Sequence, residues 1–415
     1  MDYNELIKQA EELQGELEEI RHDLHQHPEL EFDMEYTKPY IKTKLEQMGY
    51  EVEEVGKAGL VTTISGNKPG KTILLRADMD ALPIREEADV EFKSLCEGKM
   101  HACGHDMHAT MLLGAAKLLK VHQDEIEGTI KLEFQPAEEV FKGSEDMIKA
   151  GLLENPKVDA AIMFHVVAGV PMPTGMIMVP GGGVSMTSCE QYHITVTGKS
   201  GHGSMPNLSI DSITAAAQIH LALQEINSRE IAPGEYGVFT TCRFEAGNAS
   251  NVFPEKAQMW GTIRTVDPEG KIGEQIKERM TEITNGIATA MRCEAEIEFY
   301  DFCPSMMTDP DLSKSALSIM QELYGQMVID MSVVNGGKAG GGSEDFAFVS
   351  HEVPTVGMYI VAGNSQEGYQ YGQHNSKVRF DDKALNKGSA AYAYMALRWL
   401  QENGANSYDR KSGSK

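Results

Sequence analysis

The chain has 415 residues, with 62 Asp and Glu against 37 Lys and Arg, for a formal charge of −25 at pH 7 with His neutral. Nucleic acid would repel so acidic a protein, because such binding rests on cationic side chains displacing counterions from phosphates, and an anionic membrane surface would repel it likewise. At 41% hydrophobic and 24% charged it has the composition of an ordinary globular protein, and its length exceeds what one hydrophobic core supports, so two domains are expected.

Leu6, Ala10, Leu13, Leu17 and Ile20 recur at helical spacing and predict an opening amphipathic helix with an acidic solvated face. Met1 to Ile20 has neither a basic n-region nor an apolar h-region, which points to the cytoplasm. Apolar runs then read as buried strands: Thr72 to Ala77, Thr129 to Phe134 and Ala160 to Phe164. Each leads to chemically loaded residues, namely Asp78 and Asp80, Glu138 and Glu139, and His165. Ligands of open α/β sheets sit beyond the carboxyl ends of the strands, so these residues point to one shared pocket. The most apolar stretch, Ala160 to Val184, is broken by His165, Pro171, Pro173, Pro180 and glycines, so no membrane span is expected.

Past Gly181 to Gly183 the pattern changes. Strand 190–197, helix Ile210 to Ile226, strands Val238 to Phe244 and Ala257 to Arg264, helix Pro268 to Met291 and strand Ala295 to Tyr300 give the ferredoxin-like order β-α-β-β-α-β. This predicts an inserted domain over 188–302, interrupting an α/β domain made of 1–187 and 303–402. The later segments read as helix Leu312 to Tyr324, a glycine-rich loop Gly336 to Gly342, strand Thr355 to Ile360, helix Lys383 to Glu402 and a disordered polar tail over 403–415. The six cysteines lack a C-x-x-C pair, which argues against a zinc finger or a disulfide framework.

His101, Cys103, His105, Asp106 and His108 form the densest chemical cluster. Cys and His suit borderline metals such as zinc, manganese, cobalt and nickel, although surface histidines beside a buried thiol would give the same pattern. A Cys-His nucleophilic dyad fits less well, because its partners normally come from distant parts of a chain. Glu138 and Glu139 are either a solvated pair or a metal ligand beside a general base. His165 alone reads equally as a satisfied core histidine.

Taken in order, Asp78 to Pro83, His101 to His108, Gln135 to Glu139, Gly198 to Pro206 with His202, Ser343 to Phe346 and His374 resemble the M20 metallopeptidase family. The resemblance is narrower to its amidohydrolase branch of N-acyl-amino-acid, hippurate and auxin-conjugate hydrolases, and it runs from about Glu19 to Trp399. It implies a zinc-peptidase-like α/β catalytic domain with a mixed sheet flanked by helices, and an inserted ferredoxin-like lid through which a homodimer forms. It also implies two divalent metal ions, manganese or zinc with cobalt or nickel as alternatives, and a small N-acyl amino acid as substrate.

In this reading Cys103 bridges the ions, His105 and His165 complete one site, and Glu139 and His374 complete the other. Glu138 becomes the general base, Asp80 orients a ligand or solvent, and His202 steadies the oxyanion, often across a dimer in relatives. Asn251 holds substrate, Arg264 either grips the substrate carboxylate or is a surface arginine on a strand, and His22, His25 and His27 are structural. The family pattern is broken at Val166 to Gly169 and in the long polar loop Gly363 to Gln373, which leaves the acyl group open. A dipeptidase or aminoacylase of another branch, or an inactive binding protein of the same fold, are the competing readings.

Overall fold

A computed structural model describes residues 3–334 and 339–404. Part of the expected glycine-rich loop and most of the expected disordered tail therefore lie outside the described residues. The chain divides into two compact units, one running to Ser185 and resuming over 307–338 and from Phe348, the other comprising Met186–Met306 and Ala339–Ala347. The expected insertion limits fall just inside those of the second unit, and Ala339–Ala347, placed by the sequence with residues 303–402, packs with the second unit instead.

The first unit is built on an eight-stranded mixed sheet in the order Val52–Val55, Gly59–Ser65, Glu127–Gln135, Lys68–Asp78, Ala160–Val167, Thr355–Val361, Ile177–Val179, Val328–Asp330. Its centre is parallel: Lys68–Asp78 pairs in parallel with Glu127–Gln135 and with Ala160–Val167, and the latter with Thr355–Val361. These strands read as continuous apolar runs because both faces are covered. Two helices, His105–Val121 and Leu385–Asn403, are buried along most of their length and share one core with the sheet.

The opening helix is two helices, Tyr3–Glu12 and Gln14–Gln26. At Leu13 the amide bonds to the carbonyl of Ala10 rather than to that of residue 9, a single tight turn that the apolar periodicity does not register. The Ala160–Val167 strand also runs two residues past His165, so this imidazole projects from within the strand rather than from its end.

The second unit is a four-stranded antiparallel sheet in the order Tyr236–Ala246, Lys256–Val266, Cys189–Thr197, Glu294–Cys303, with helices Ser212–Glu225 and Lys271–Ala290. The chain order is β-α-β-β-α-β. From Ala257 to Val266 this second strand alternates strictly between buried and half-exposed residues, as a sheet covered by helices on one face requires, and the unit has its own apolar core. No helix among the described residues is long and apolar enough to cross a membrane.

Candidate metal centre

Local geometry delivers the donors to the loops beyond the strands of the first unit, apart from His165, which projects from within its strand. After the Glu127–Gln135 strand the chain doubles back through Ala137 and Phe141 at φ 56 and 55°. A Cβ at Gly143 would lie 1.6 Å from the Pro136 carbonyl oxygen, so only glycine allows the turn that presents Glu138 and Glu139. Gly104, at φ 90°, lies where a Cβ would come within 2.4 Å of the Val166 side chain, and its lack of one brings the Cys103–His105 segment down onto the His165 strand. His374 has φ 62°, and its amide donates to the Ala102 carbonyl at 2.9 Å, which ties its loop to the residue before Cys103.

The donors meet in overlapping groups. Cys103, His105 and His165 offer ligand atoms all within 4.8 Å of one another, as do Cys103, Glu139 and His374, and also His105, Glu138 and Glu139. Cys103 Sγ stands 3.4 Å from His165 Nε2, and His374 Nε2 lies 3.6 Å from a Glu139 oxygen. His165 Nδ1 donates to its neighbour's carbonyl, that of Val166, at 2.7 Å, leaving Nε2 with its lone pair turned towards Cys103. Both ring nitrogens of His105 and one oxygen of Glu139 are buried without a hydrogen-bond partner. Buried polar atoms are rarely left so; His105 Nδ1 faces an Asp80 oxygen at 3.4 Å, and a cation near Nε2 would satisfy that nitrogen and the Glu139 oxygen 3.8 Å from it. The residues therefore fit a pair of divalent ions, with a thiolate, imidazoles and a carboxylate as donors.

The electrostatics of the donor residues point the same way. Burial, then the Glu139 carboxylate, push the Cys103 thiol well up. Burial also pushes Glu139 up to about 7, with Asp80 and Asp78 adding to it and His105 opposing. Burial takes His165 down to about 3 and lowers His374. His105 moves up: burial would lower it, but the charges of Asp78 and Cys103 prevail. A cation reverses the cost of charging both the thiol and the carboxylate.

Around the donors lies a layer that sequence reasoning largely missed. The Asp80 carboxylate accepts the backbone amides of Glu138 and Glu139 at 3.0 and 3.1 Å. Asp78 accepts from Arg76 at 2.7 Å and from His108 Nδ1 at 2.5 Å, while His108 Nε2 accepts the Val166 amide, so His108 is a satisfied core histidine. Asp106 accepts from Arg21 and His25 at 2.9 and 2.8 Å, Arg21 also reaches Asp382, and His22 bonds Asp382. Arg76 interrupts an apolar strand run, the one signal in the sequence for this buried charge layer. His101, His105 and His108 are all buried, which overturns the surface-histidine reading. His101 enters none of the donor groups, and burial lowers it to about 3.

The remaining candidates belong to the second unit. His202 and Asn251 are 49 positions apart in sequence, but the short Gly201–His202 and Val252–Phe253 strands pair, with Val252 opposite His202, and Gly203 donates to the Asn251 carbonyl at 2.8 Å. His202 Nδ1 accepts the Ser204 amide at 3.2 Å, so its proton sits on Nε2. Arg264 is half-buried and donates to Ser343 Oγ at 2.6 Å.

A parallel-centred sheet that gathers a thiol, three imidazoles and paired carboxylates around its carboxyl edge defines a metal-dependent hydrolase. Residues 74–398 match the model of peptidase family M20/M25/M40, and the chain belongs to that family. It is 36% identical over 405 residues to thermostable carboxypeptidase 2 of Saccharolobus solfataricus, spanning 96% of this chain and 99% of that protein. It is also 36% identical over 397 residues to the hippurate hydrolase of Campylobacter jejuni, spanning 95% of this chain and 100% of that protein. A Bacillus subtilis dinuclear metal-binding peptidase of the M20 family superposes with a TM-score of 0.77 at 31% identity, over 94% of this chain and 99% of that one.

Proposed function

We propose that this enzyme hydrolyses the amide bond of N-acyl amino acids or similar small conjugates, releasing a carboxylate and an amino acid. The observation that carries the reading is the double membership of Cys103, which shares one donor group with His105 and His165 and another with Glu139 and His374. Two manganese or zinc ions held there would polarise the amide carbonyl and bring the pKa of water down towards about 7.

Glu138, whose carboxylate comes within 4.0 Å of His105 Nε2, takes the proton of the attacking water and delivers it to the leaving nitrogen. Asp80 holds Glu138 in place. His202 offers its Nε2–H to the developing oxyanion, from a second copy of the chain paired through the smaller unit. Asn251 and Arg264 hold the substrate's amino acid part. Hippurate is N-benzoylglycine, and the similarity to a hippurate hydrolase over nearly the full chain supports this substrate class. Because the cysteines are free, we place the enzyme in the reducing cytoplasm.

The test is a screen of N-acyl amino acids and dipeptides with manganese- and zinc-loaded enzyme, beside two variants. Glu138→Gln is expected to keep its metal and lose turnover by roughly 10²- to 10⁴-fold, whereas Cys103→Ala loses both. Near-normal turnover by metal-loaded Glu138→Gln would sink the assignment, and a preference for dipeptides would move the enzyme to another branch of the family.

A further inference from the structure

Glu11, Gln14 and Glu18 follow one another at three- and four-residue spacing along the first two helices, as do Lys383, Asn386 and Ala390 into the Leu385–Asn403 helix. Between these two faces lies a cavity of about 400 Å³ that takes no part in the chemistry above. That volume falls in the range of small-molecule sites.

Ile7, Ala10 and Ala390 give the cavity an apolar lining. The polar groups differ from side to side. On the first-helix side stand the Glu11 carboxylate and the Gln14 amide. Gln14 Nε2 donates to Glu18 at 2.8 Å and to the Asp382 carbonyl at 2.9 Å, which holds the Glu18 carboxylate in the same wall as Glu11. On the opposite side stand Lys383 and Asn386. Among the described residues no hydrogen bond or ion pair engages the side chains of Glu11, Lys383 or Asn386. The wall behind them is held in place, since Tyr324 donates its hydroxyl to the Lys387 carbonyl at 2.8 Å and Lys387 donates its ammonium to the Thr174 carbonyl at 3.1 Å.

An apolar lining with acceptors on one side and cationic and amide donors on the other is complementary to a small zwitterion carrying a hydrocarbon side chain. We infer that this cavity is a binding site for a free aliphatic α-amino acid, separate from the metal centre. The ligand's ammonium meets Glu11 and Glu18, its carboxylate meets Lys383 and Asn386, and its side chain covers Ile7, Ala10 and Ala390. The overall charge of −25 disfavours a simple anion here, whereas a zwitterion has no net charge to repel. The inference stands on this cavity and does not depend on the reaction proposed above.

Equilibrium dialysis of radiolabelled L-leucine against the metal-loaded full chain tests it, with Lys383→Ala and Asn386→Ala beside the wild type. L-Leucinamide, which lacks the carboxylate, and 4-methylpentanoate, which lacks the amine, serve as competitors. The wild type is expected to bind leucine saturably, each variant to weaken that binding by about tenfold, the loss of one charge-assisted hydrogen bond, and each competitor to displace leucine at least about tenfold less well than leucine itself. kcat and KM should stay at wild-type values, because neither side chain touches the metal donors. Superimposable isotherms for wild type and variants would place any leucine binding elsewhere and overturn the inference. So would the absence of saturable binding by the wild type at millimolar leucine, or displacement by 4-methylpentanoate as effective as by leucine.

Discussion

The carboxylate of Asp80 accepts the backbone amide of Glu138 at 3.0 Å, and its second oxygen takes the amide of Glu139 at 3.1 Å. One side chain at the end of one strand thus fixes the loop that leaves the next, and with it the positions of a proposed ligand and a proposed base. Asp80→Asn retains an acceptor for one amide and turns an NH₂ towards the other. It is expected to lower metal affinity and turnover each by about 10- to 100-fold with the fold intact, as measured by metal content after dialysis, steady-state rates and circular dichroism. Wild-type metal retention and rates would show that the loop holds its shape without this clasp.

The tautomer of His202 makes a separate prediction. With the Ser204 amide bonded to Nδ1, the outward-facing Nε2 is a donor, as an oxyanion partner must be. His202→Ala should lose about 10²- to 10³-fold in kcat, and His202→Gln, which retains a donor, should lose less. If the residue acts across a dimer, mixing His202→Ala with Glu138→Ala protein restores activity through hybrid dimers. No recovery despite demonstrated subunit exchange would place His202 in the site of its own chain.

Asp106, one residue past His105, is clasped by Arg21 and His25. Burial on its own would lower the pKa of His25, but Asp106 and Glu86 carry it above the ordinary 6.5. A group whose folded pKa is raised contributes stability that is complete below the unfolded value and is lost as pH rises through the folded one. The stability advantage of wild type over His25→Gln should therefore be largest at pH 6 and shrink above 6.5, by up to about 1.4 kcal/mol per pH unit, in urea unfolding across that range. An advantage that grows with pH would contradict the raised pKa.

Lys131 is buried in the centre of the sheet, and its ammonium donates to the carbonyls of Leu152, Glu154 and Pro156 at 2.8, 2.8 and 3.1 Å. Lys131→Met keeps the stem and strands three carbonyls, so a loss of about 3 kcal/mol is expected in denaturant unfolding. The folded variant should keep wild-type kcat, since no donor of the metal centre touches this loop. A loss below about 1 kcal/mol would mean that solvent satisfies those carbonyls.

The donor set fits ions that bind the folded chain alone, so chelation should lower the melting temperature. Free metal at 100 times its dissociation constant stabilises by about 2.7 kcal/mol, a shift of several degrees that readdition of metal restores. An unchanged melting temperature on proven removal of metal would mean that the ions bind the unfolded chain as well as the folded one.

The sequence by itself determined the elements and the chemical inventory of this protein. Apolar runs such as Thr129 to Phe134 and helical periods such as Ile276 and Met280 are local signals, set by which faces must leave water, and the ordered motifs from Asp78 to His374 carried the family resemblance. Local patterning cannot report how groups far apart in the chain are oriented against each other. That Cys103 meets Glu139 and His374, that Asp80 binds the amides of Glu138 and Glu139 rather than water, and that Val252 sits opposite His202 follow from strand order and register, which only the packed sheets impose. The same holds for the buried layer of Arg21, Arg76, Asp78, Asp106 and His108. Taken singly these look like solvated charges, and only the low-dielectric interior, where an unpaired charge is costly, forces them into the pairs that hold the centre in place.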